Sequence, residues 1–195
     1  MKGVYAVAAL AAALAIPPVS AAAGGGAAQQ AAAPAAEKSI EERIISVPAP
    51  QAYRVDGPRG AGRVRNDAGV QGGKALRVTV NQPNAEAWRV SVSVPINKAV
   101  RAGDNLVLAF WARMERGPDG ATSSTLPNNT VQLAAAPYSA LFAGPVTVTP
   151  QWQMFEIRGR ANRDYAAGEL NVAMHLANAQ HVIDIGPVFV LNMEQ

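Results

Sequence analysis

The sequence WRVSVSV at residues 88–94 alternates apolar and polar side chains with a period of two. Successive side chains of a β-strand point to opposite faces of the sheet, so this alternation predicts a strand with one buried and one polar face. Strands are predicted in the same way at 76–80, 106–114, 130–135, 153–158, 170–177 and 182–191, with a weaker candidate at 52–55. No segment of ten or more residues keeps a helical period, so the chain is predicted to be all-β, a sandwich or a barrel.

The gaps between these segments are rich in glycine, proline and asparagine. Gly144-Pro145 is one such gap and predicts a turn. The longest polar gap, 115–129, is too long for a tight hairpin and is predicted to be a mobile surface loop.

Residues 1–21 have the order of a secretory signal peptide. Lys2 gives a positive charge, residues 4–16 form an apolar run that ends at Pro17-Pro18, and small residues at 19–21 suit a signal peptidase, with a later cleavage site at 23 left open. The apolar run is well short of the roughly 20 residues that a membrane-spanning helix needs, which disfavours a membrane anchor. We therefore expect the protein to be exported, to the periplasm or the medium.

Residues 22–43 are expected to form a tether before a single folded domain at 44–195. The first part is built from Ala, Gly, Gln and Pro and has nothing to bury, while Ser39-Ile40-Glu41-Glu42 fits a capping box and predicts a short helical turn. The chain has no cysteine, which excludes disulfides and thiolate metal sites. Its net charge of +3 comes from scattered side chains and disfavours a nucleic-acid partner.

Six short motifs follow one another through the folded part of the chain. They are GGKALRV at 72–78, EAW at 86–88, RAGD at 101–104, LAFWAR at 108–113, TPQW at 149–152 and IDIGPV at 183–188. This ordered set resembles the CenC-type carbohydrate-binding modules of families 4, 9 and 22, which are often attached to xylanases and glucanases, and it covers roughly 51–192.

The resemblance implies a galactose-binding-like jelly roll of two antiparallel sheets. It also implies binding of a β-glucan or xylan in a cleft on the concave face of one sheet. Many members of the family have Ile-Asp-Asp near the end, where this chain has Ile183-Asp184-Ile185. A structural calcium ion is therefore left open, with Asp184 as its candidate ligand, and no other cofactor is expected.

Alternation also sorts the side chains that would face a ligand. If the more apolar face of each strand is the core, and the strands lie in one sheet, the outer face carries an indole ring, arginines, amides and an imidazole. Such groups suit a sugar, because its C–H face packs on an aromatic ring and its hydroxyls pair with planar donors and acceptors. The predicted ligand-binding residues are Trp88, Arg89, Trp111, Arg113, Gln132, Tyr138, Asn171 and His175. For Trp88 and Tyr138, a packing role is equally compatible with the sequence.

Two other classes of function stay open. The domain could be an interaction module of the cell envelope, or a small glycoside hydrolase or lyase. A glycosidase needs two carboxylates facing one cleft, and no spacing in the sequence pairs the available acids. The expected function is therefore non-catalytic binding of a polysaccharide or oligosaccharide without membrane insertion. For a protein partner, an envelope protein and a glycoside hydrolase are the alternatives.

Overall fold

The structure, a computed structural model, describes residues 38–194. The predicted signal peptide and residues 22–37 of the predicted tether lie outside the described residues. The described chain begins with a one-turn helix, α1 (Ile40–Arg43), in which Ser39 and Glu42 form a reciprocal capping box. Short 3₁₀ turns occur at Pro50–Ala52, Gln71–Gly73, Ala87–Arg89 and Pro118–Gly120.

Ten strands make up the rest of the regular structure. They are β1 (Arg54–Asp56), β2 (Gly62–Asn66), β3 (Lys74–Val80), β4 (Ser91–Pro95), β5 (Asn105–Arg116), β6 (Ser124–Leu133), β7 (Ala140–Val148), β8 (Gln153–Arg160), β9 (Leu170–His175) and β10 (His181–Asn192).

The strands form two antiparallel five-stranded sheets. The front sheet has the order β1-β4-β9-β6-β7 and the back sheet the order β2-β3-β10-β5-β8. Most strands that follow one another along the chain lie in opposite sheets, which is the connectivity of a jelly roll. The predicted all-β sandwich of two antiparallel sheets is confirmed.

The core lies between the two sheets and is filled by the apolar side chains that the alternation selects. Val92 and Val94 of β4 face Phe110 and its neighbours from the back sheet, and all three are fully buried. Phe110 also packs on Phe155 of β8, with 5.6 Å between the ring centroids. Burial of such side chains contributes roughly 1.5–3 kcal/mol each, which suits a domain that lacks disulfides.

The predicted loop at 115–129 is shorter than expected and covers only residues 117–123, because β5 continues to Arg116 and β6 begins at Ser124. Asn129 connects this polar stretch to its neighbour in the sheet by a hydrogen bond of its side chain. Its side chain is buried, and its amide donates to the carbonyls of Leu126 (3.2 Å) and Gly144 (3.0 Å), where the pairing of β6 with β7 shifts register.

The predicted turn at Gly144-Pro145 is wrong, since both residues lie inside β7. β7 is an edge strand of the front sheet, and an edge strand tolerates a proline that cannot donate a hydrogen bond to a neighbour. Strand β2 was missed because its residues are mostly exposed and show no apolar face.

Candidate ligand-binding cleft

The outer face of the front sheet carries rows of polar side chains. Ser91 of β4 pairs with His175 of β9, which pairs with Asn128 of β6, and two residues along β4 Ser93 pairs with Ala173. The intervening residues, such as Val92, point into the core. Because side chains alternate across a strand, burying the valines turns the serines and the imidazole outward.

A cleft of roughly 570 Å³ lies on this face. Five of the eight predicted ligand-binding residues line it: Trp88, Gln132, Tyr138, Asn171 and His175. The structure adds residues that the sequence did not single out as contacts, namely Arg54, Asp56, Ser91, Ser93, Asn128, Ala134, Ala140 and Ala173. Arg54 lies in the weaker strand candidate at 52–55 and Asp56 just beyond it, while Asn128 lies in the segment predicted as a loop, so none of the three was assigned to a face.

Two aromatic rings stand at opposite ends of the cleft. Trp88, in the turn before β4, is 49% exposed, and Tyr138, in the turn after β6, is 57% exposed. The row that contains Ser91 and the row that contains Gln132 are four residues apart along the strands, or about 13 Å at the usual rise of a strand. The two rings are therefore not in contact with each other, and the polar side chains of the sheet lie between them.

The floor offers hydrogen-bonding groups held by rigid strands. Asn171 donates to the Ser93 hydroxyl at 2.8 Å, and the Asn128 amide lies 3.0 Å from Nδ1 of His175. The amide of Gln132 makes no side-chain hydrogen bond to any residue in the described part of the chain. Gln132 is thus a donor and an acceptor left for a ligand.

His175 lies at the cleft in an environment that favours its neutral form. Burial lowers the pKa of its imidazole from the ordinary value. If the amide nitrogen of Asn128 donates to Nδ1, the proton of the neutral ring sits on Nε2.

Arg89 does not line the cleft, but it contacts Trp88, which does. Its guanidinium stacks over the Trp88 ring, 4.5 Å from the ring centroid, and makes a 2.7 Å ion pair with Glu86. Cation–π contact of this kind contributes roughly 0.5–1 kcal/mol at exposed sites and orients the ring.

Trp111 and Arg113 lie on the outer face of the other sheet, so the prediction that they share a surface with Gln132 and His175 is wrong. Both residues belong to β5 in the back sheet. Trp111 donates from Nε1 to Gln71 at 3.3 Å and packs beside Gly186. Alternation assigned these side chains to the correct face of their strand. It could not show which of the two sheets contains that strand.

The contacts of Asp184, the candidate calcium ligand, are with arginines, which disfavours a cation at this carboxylate. Its fully buried carboxylate receives hydrogen bonds from Arg65 (2.9 Å), Arg77 (2.7 Å) and Arg113 (3.0 Å). Burial acts to raise the pKa of Asp184, but the hydrogen bonds from Arg77 and Arg113 outweigh it and hold the pKa below its usual range. Among residues 38–194, no cluster of three or more His, Asp or Glu side chains could hold a metal ion.

The second histidine is a structural residue. His181 is fully buried. Its Nε2 lies 2.8 Å from the carbonyl of Leu176, which can only accept, so Nδ1 accepts from the Ser124 hydroxyl at 2.7 Å. Burial outweighs the Leu176 hydrogen bond and lowers the pKa of His181.

Comparison with solved structures identifies the fold. A CBM4 carbohydrate-binding module is similar with a TM-score of 0.56 and 18% identity, over 73% of this chain and 96% of that one. The N-terminal cellulose-binding domain of β-1,4-glucanase C from Cellulomonas fimi gives 0.53 and 17%, over 73% and 90%. The CBM22-1–GH10 modules of xylanase 10B from Clostridium thermocellum, complexed with xylohexaose, give 0.54 and 9%, over 78% and 28%.

No family model and no curated protein matched the sequence. At these identities the structural likeness concerns the fold, and it agrees with the resemblance that the six motifs carry. The chain has the β-sandwich fold of the CenC-type carbohydrate-binding modules.

Proposed function

We propose that the protein binds a β-linked polysaccharide or oligosaccharide, of the xylan or β-glucan type, in the cleft of the front sheet. The observation that carries the proposal is the pair of half-exposed rings, Trp88 and Tyr138, at the two ends of a polar floor. Exposed apolar surface rimmed by polar groups marks binding sites, and ligand pockets combine aromatic rings with a few placed polar groups, as this cleft does.

The chemistry of the cleft suits a sugar chain. Each ring can pack on the C–H face of a pyranose, while the uncommitted Gln132 amide, the His175 Nε2–H and the serine hydroxyls can meet its hydroxyl groups. The floor groups are held by strands, so little conformational entropy is lost when they bind. The cellulose-binding domain and the xylohexaose complex among the similar folds support the choice of these two glycan classes.

The binding is proposed to be non-catalytic. Of the described residues that line the cleft, Asp56 is the one carboxylate, and it is ion-paired with Arg54 at 3.1 Å. Cleavage by the usual glycosidase mechanism needs two carboxyl groups on either side of the scissile bond. This composition supports a binding module rather than a hydrolase.

Affinity electrophoresis tests the proposal. We expect retardation of the domain by xylan, mixed-linkage glucan or hydroxyethyl cellulose, and loss of that retardation in Trp88→Ala. Trp111→Ala is the matched control, because its ring lies on the back sheet, and it should be retarded like the unchanged protein. Retardation by no glycan would overturn the proposal, and co-purification of a protein in that case would favour an interaction module.

We also infer that the protein works outside the cytoplasm, on the strength of the N-terminal sequence. In residues 38–194 there is no helix of the length and apolarity that crossing a membrane requires. N-terminal sequencing of protein recovered from the periplasm and the medium should find a chain that starts at Ala22 or Gly24. Recovery of an intact Met1 from either fraction would contradict the inference.

A further inference from the structure

A second concavity of roughly 700 Å³ adjoins the cleft. We call it the arginine groove. It lies between the turn at 57–60, the turn at 81–84 and the segment that holds Arg89, and it is lined chiefly by polar and small side chains. None of the eight predicted ligand contacts except Arg89 borders it.

The arginine groove and the cleft share a wall. Asp56 lines the cleft and Gly57 the groove, and likewise Trp88 lines the cleft and Arg89 the groove. The Arg89 guanidinium lies over the Trp88 ring, so the stacked pair forms the boundary between the two concavities. A sugar chain that packs one unit on Trp88 would therefore bring a neighbouring unit to Arg89 if it extends across this boundary.

The charge of the arginine groove differs from that of the cleft. Of the described residues that line it, two are arginines, Arg59 and Arg89, and none is a carboxylate. Arg89 is paired with Glu86, but Arg59 has no ion-pair partner within residues 38–194. Gly60, at φ 81°, allows the tight turn that holds Arg59 at the groove.

Apart from the arginines, the polar side chains of the arginine groove are the Thr79 hydroxyl and three amides, of which Asn84 already accepts from the backbone N–H of Glu86. Asn81 and Gln82 line it, and neither side chain makes a hydrogen bond to a described residue. A free guanidinium beside two free amides matches a ligand that has a carboxylate and several hydroxyls, because a carboxylate accepts the strongest hydrogen bonds from arginine.

We propose that the arginine groove takes an acidic sugar unit, a uronic acid, of the same glycan whose neutral unit packs on Trp88. The uronate carboxylate pairs with Arg59, and its hydroxyls meet the amides of Asn81 and Gln82. This proposal rests on the proposed function, and it narrows the ligand to an acid-bearing glycan.

Calorimetric titration with a matched pair of ligands tests the proposal. The probes are xylohexaose and xylohexaose that carries one glucuronic acid branch. The unchanged protein should bind the acidic ligand about tenfold more tightly than the neutral one at low salt, the scale of one charge-assisted hydrogen bond. This preference should shrink at 0.5 M NaCl, since salt screens exposed charges.

Arg59→Gln should remove the preference and leave the affinity for xylohexaose unchanged. Arg101→Gln is the control, because it removes an exposed arginine outside both concavities and should keep the preference. Equal affinity of the unchanged protein for the two ligands, a preference that survives in Arg59→Gln, or binding of neither ligand overturns the proposal. In the first two cases, weaker binding by Trp88→Ala would show that the proposed function stands although the uronic acid proposal has failed.

Discussion

Replacing Asp184 by asparagine is expected to destabilise the domain by about 3 kcal/mol, which would lower Tm by roughly 6–12 °C for a domain of this size. The asparagine keeps the shape of the side chain but removes the anion that Arg65, Arg77 and Arg113 share. The ion pairs of these arginines with Asp67 and Glu115 remain. Breaking a buried ion pair usually costs about 3–5 kcal/mol. We take the lower end because the three arginine side chains are 22–27% exposed and can be partly rehydrated.

The loss should depend on pH with a definite sign. The pKa of Asp184 is lower in the folded protein than its ordinary value of 3.8. Its stabilising contribution is therefore fully present above pH 3.8 and is lost as the pH falls through the folded pKa. The difference in unfolding free energy between the unchanged protein and Asp184→Asn should be constant from pH 5 to pH 7 and shrink below about pH 4.

Urea denaturation at pH 7 and pH 3 measures both effects. Asp56→Asn is the matched control, because its ion pair with Arg54 is largely exposed and should be worth less than about 1 kcal/mol. Equal losses in the two variants would refute the reasoning. So would a rise in Tm on adding calcium that Asp184→Asn abolishes, since it would make Asp184 a metal ligand.

Three further predictions concern the cleft and the core. Trp88→Ala should weaken glycan binding by roughly 60-fold in a titration, because the exposed half of the ring offers about 100 Å² at about 25 cal/mol per Å². It should lower Tm by only about 1–4 °C, the scale of the lost contact with Arg89, and Tyr138→Ala should lose less affinity. The unchanged protein should lose stability as the pH falls below about 6.5, because the lowered pKa of buried His181 makes its protonation unfavourable, and His181→Gln should flatten that slope in urea denaturation. Gly159→Ala should lower unfolding free energy by about 1–3 kcal/mol, because a Cβ there would lie 2.1 Å from the Phe142 ring; an unchanged Tm would contradict that packing.

The strand alternation was sufficient to assign most faces of the sheets. Val92 and Val94 are buried, and Ser91 and Ser93 face the cleft, as the period of two predicts. It was insufficient where the sequence is polar on both faces. The middle of β6 contains Pro127 and two asparagines, and it is a strand because β6 pairs with β7 and β9, which lie further along the chain.

Only part of the candidate site was predicted, because alternation gives the face of each strand but not the sheet to which the strand belongs. Gln132, Asn171 and His175 were placed together correctly because β6 and β9 do pair. Trp111 was placed with them wrongly, because the outward face of a back-sheet strand has the same pattern as that of a front-sheet strand. The arginine groove had no sequence signal at all, since turns far apart in the chain build it.

The sequence by itself determined the class of fold, because alternation and turn residues are local properties that each strand carries alone. Only the tertiary structure decided which strands share a sheet and which side chains meet. Asp184 shows the reason: pairing of β10 with β3 and β5 sets it directly opposite Arg77 and Arg113, and that register turns an apparent calcium ligand into the centre of an ion-pair network. Such register depends on pairing between residues far apart in the chain, as with Arg77 and Asp184, which are 107 positions apart, and no local pattern records it.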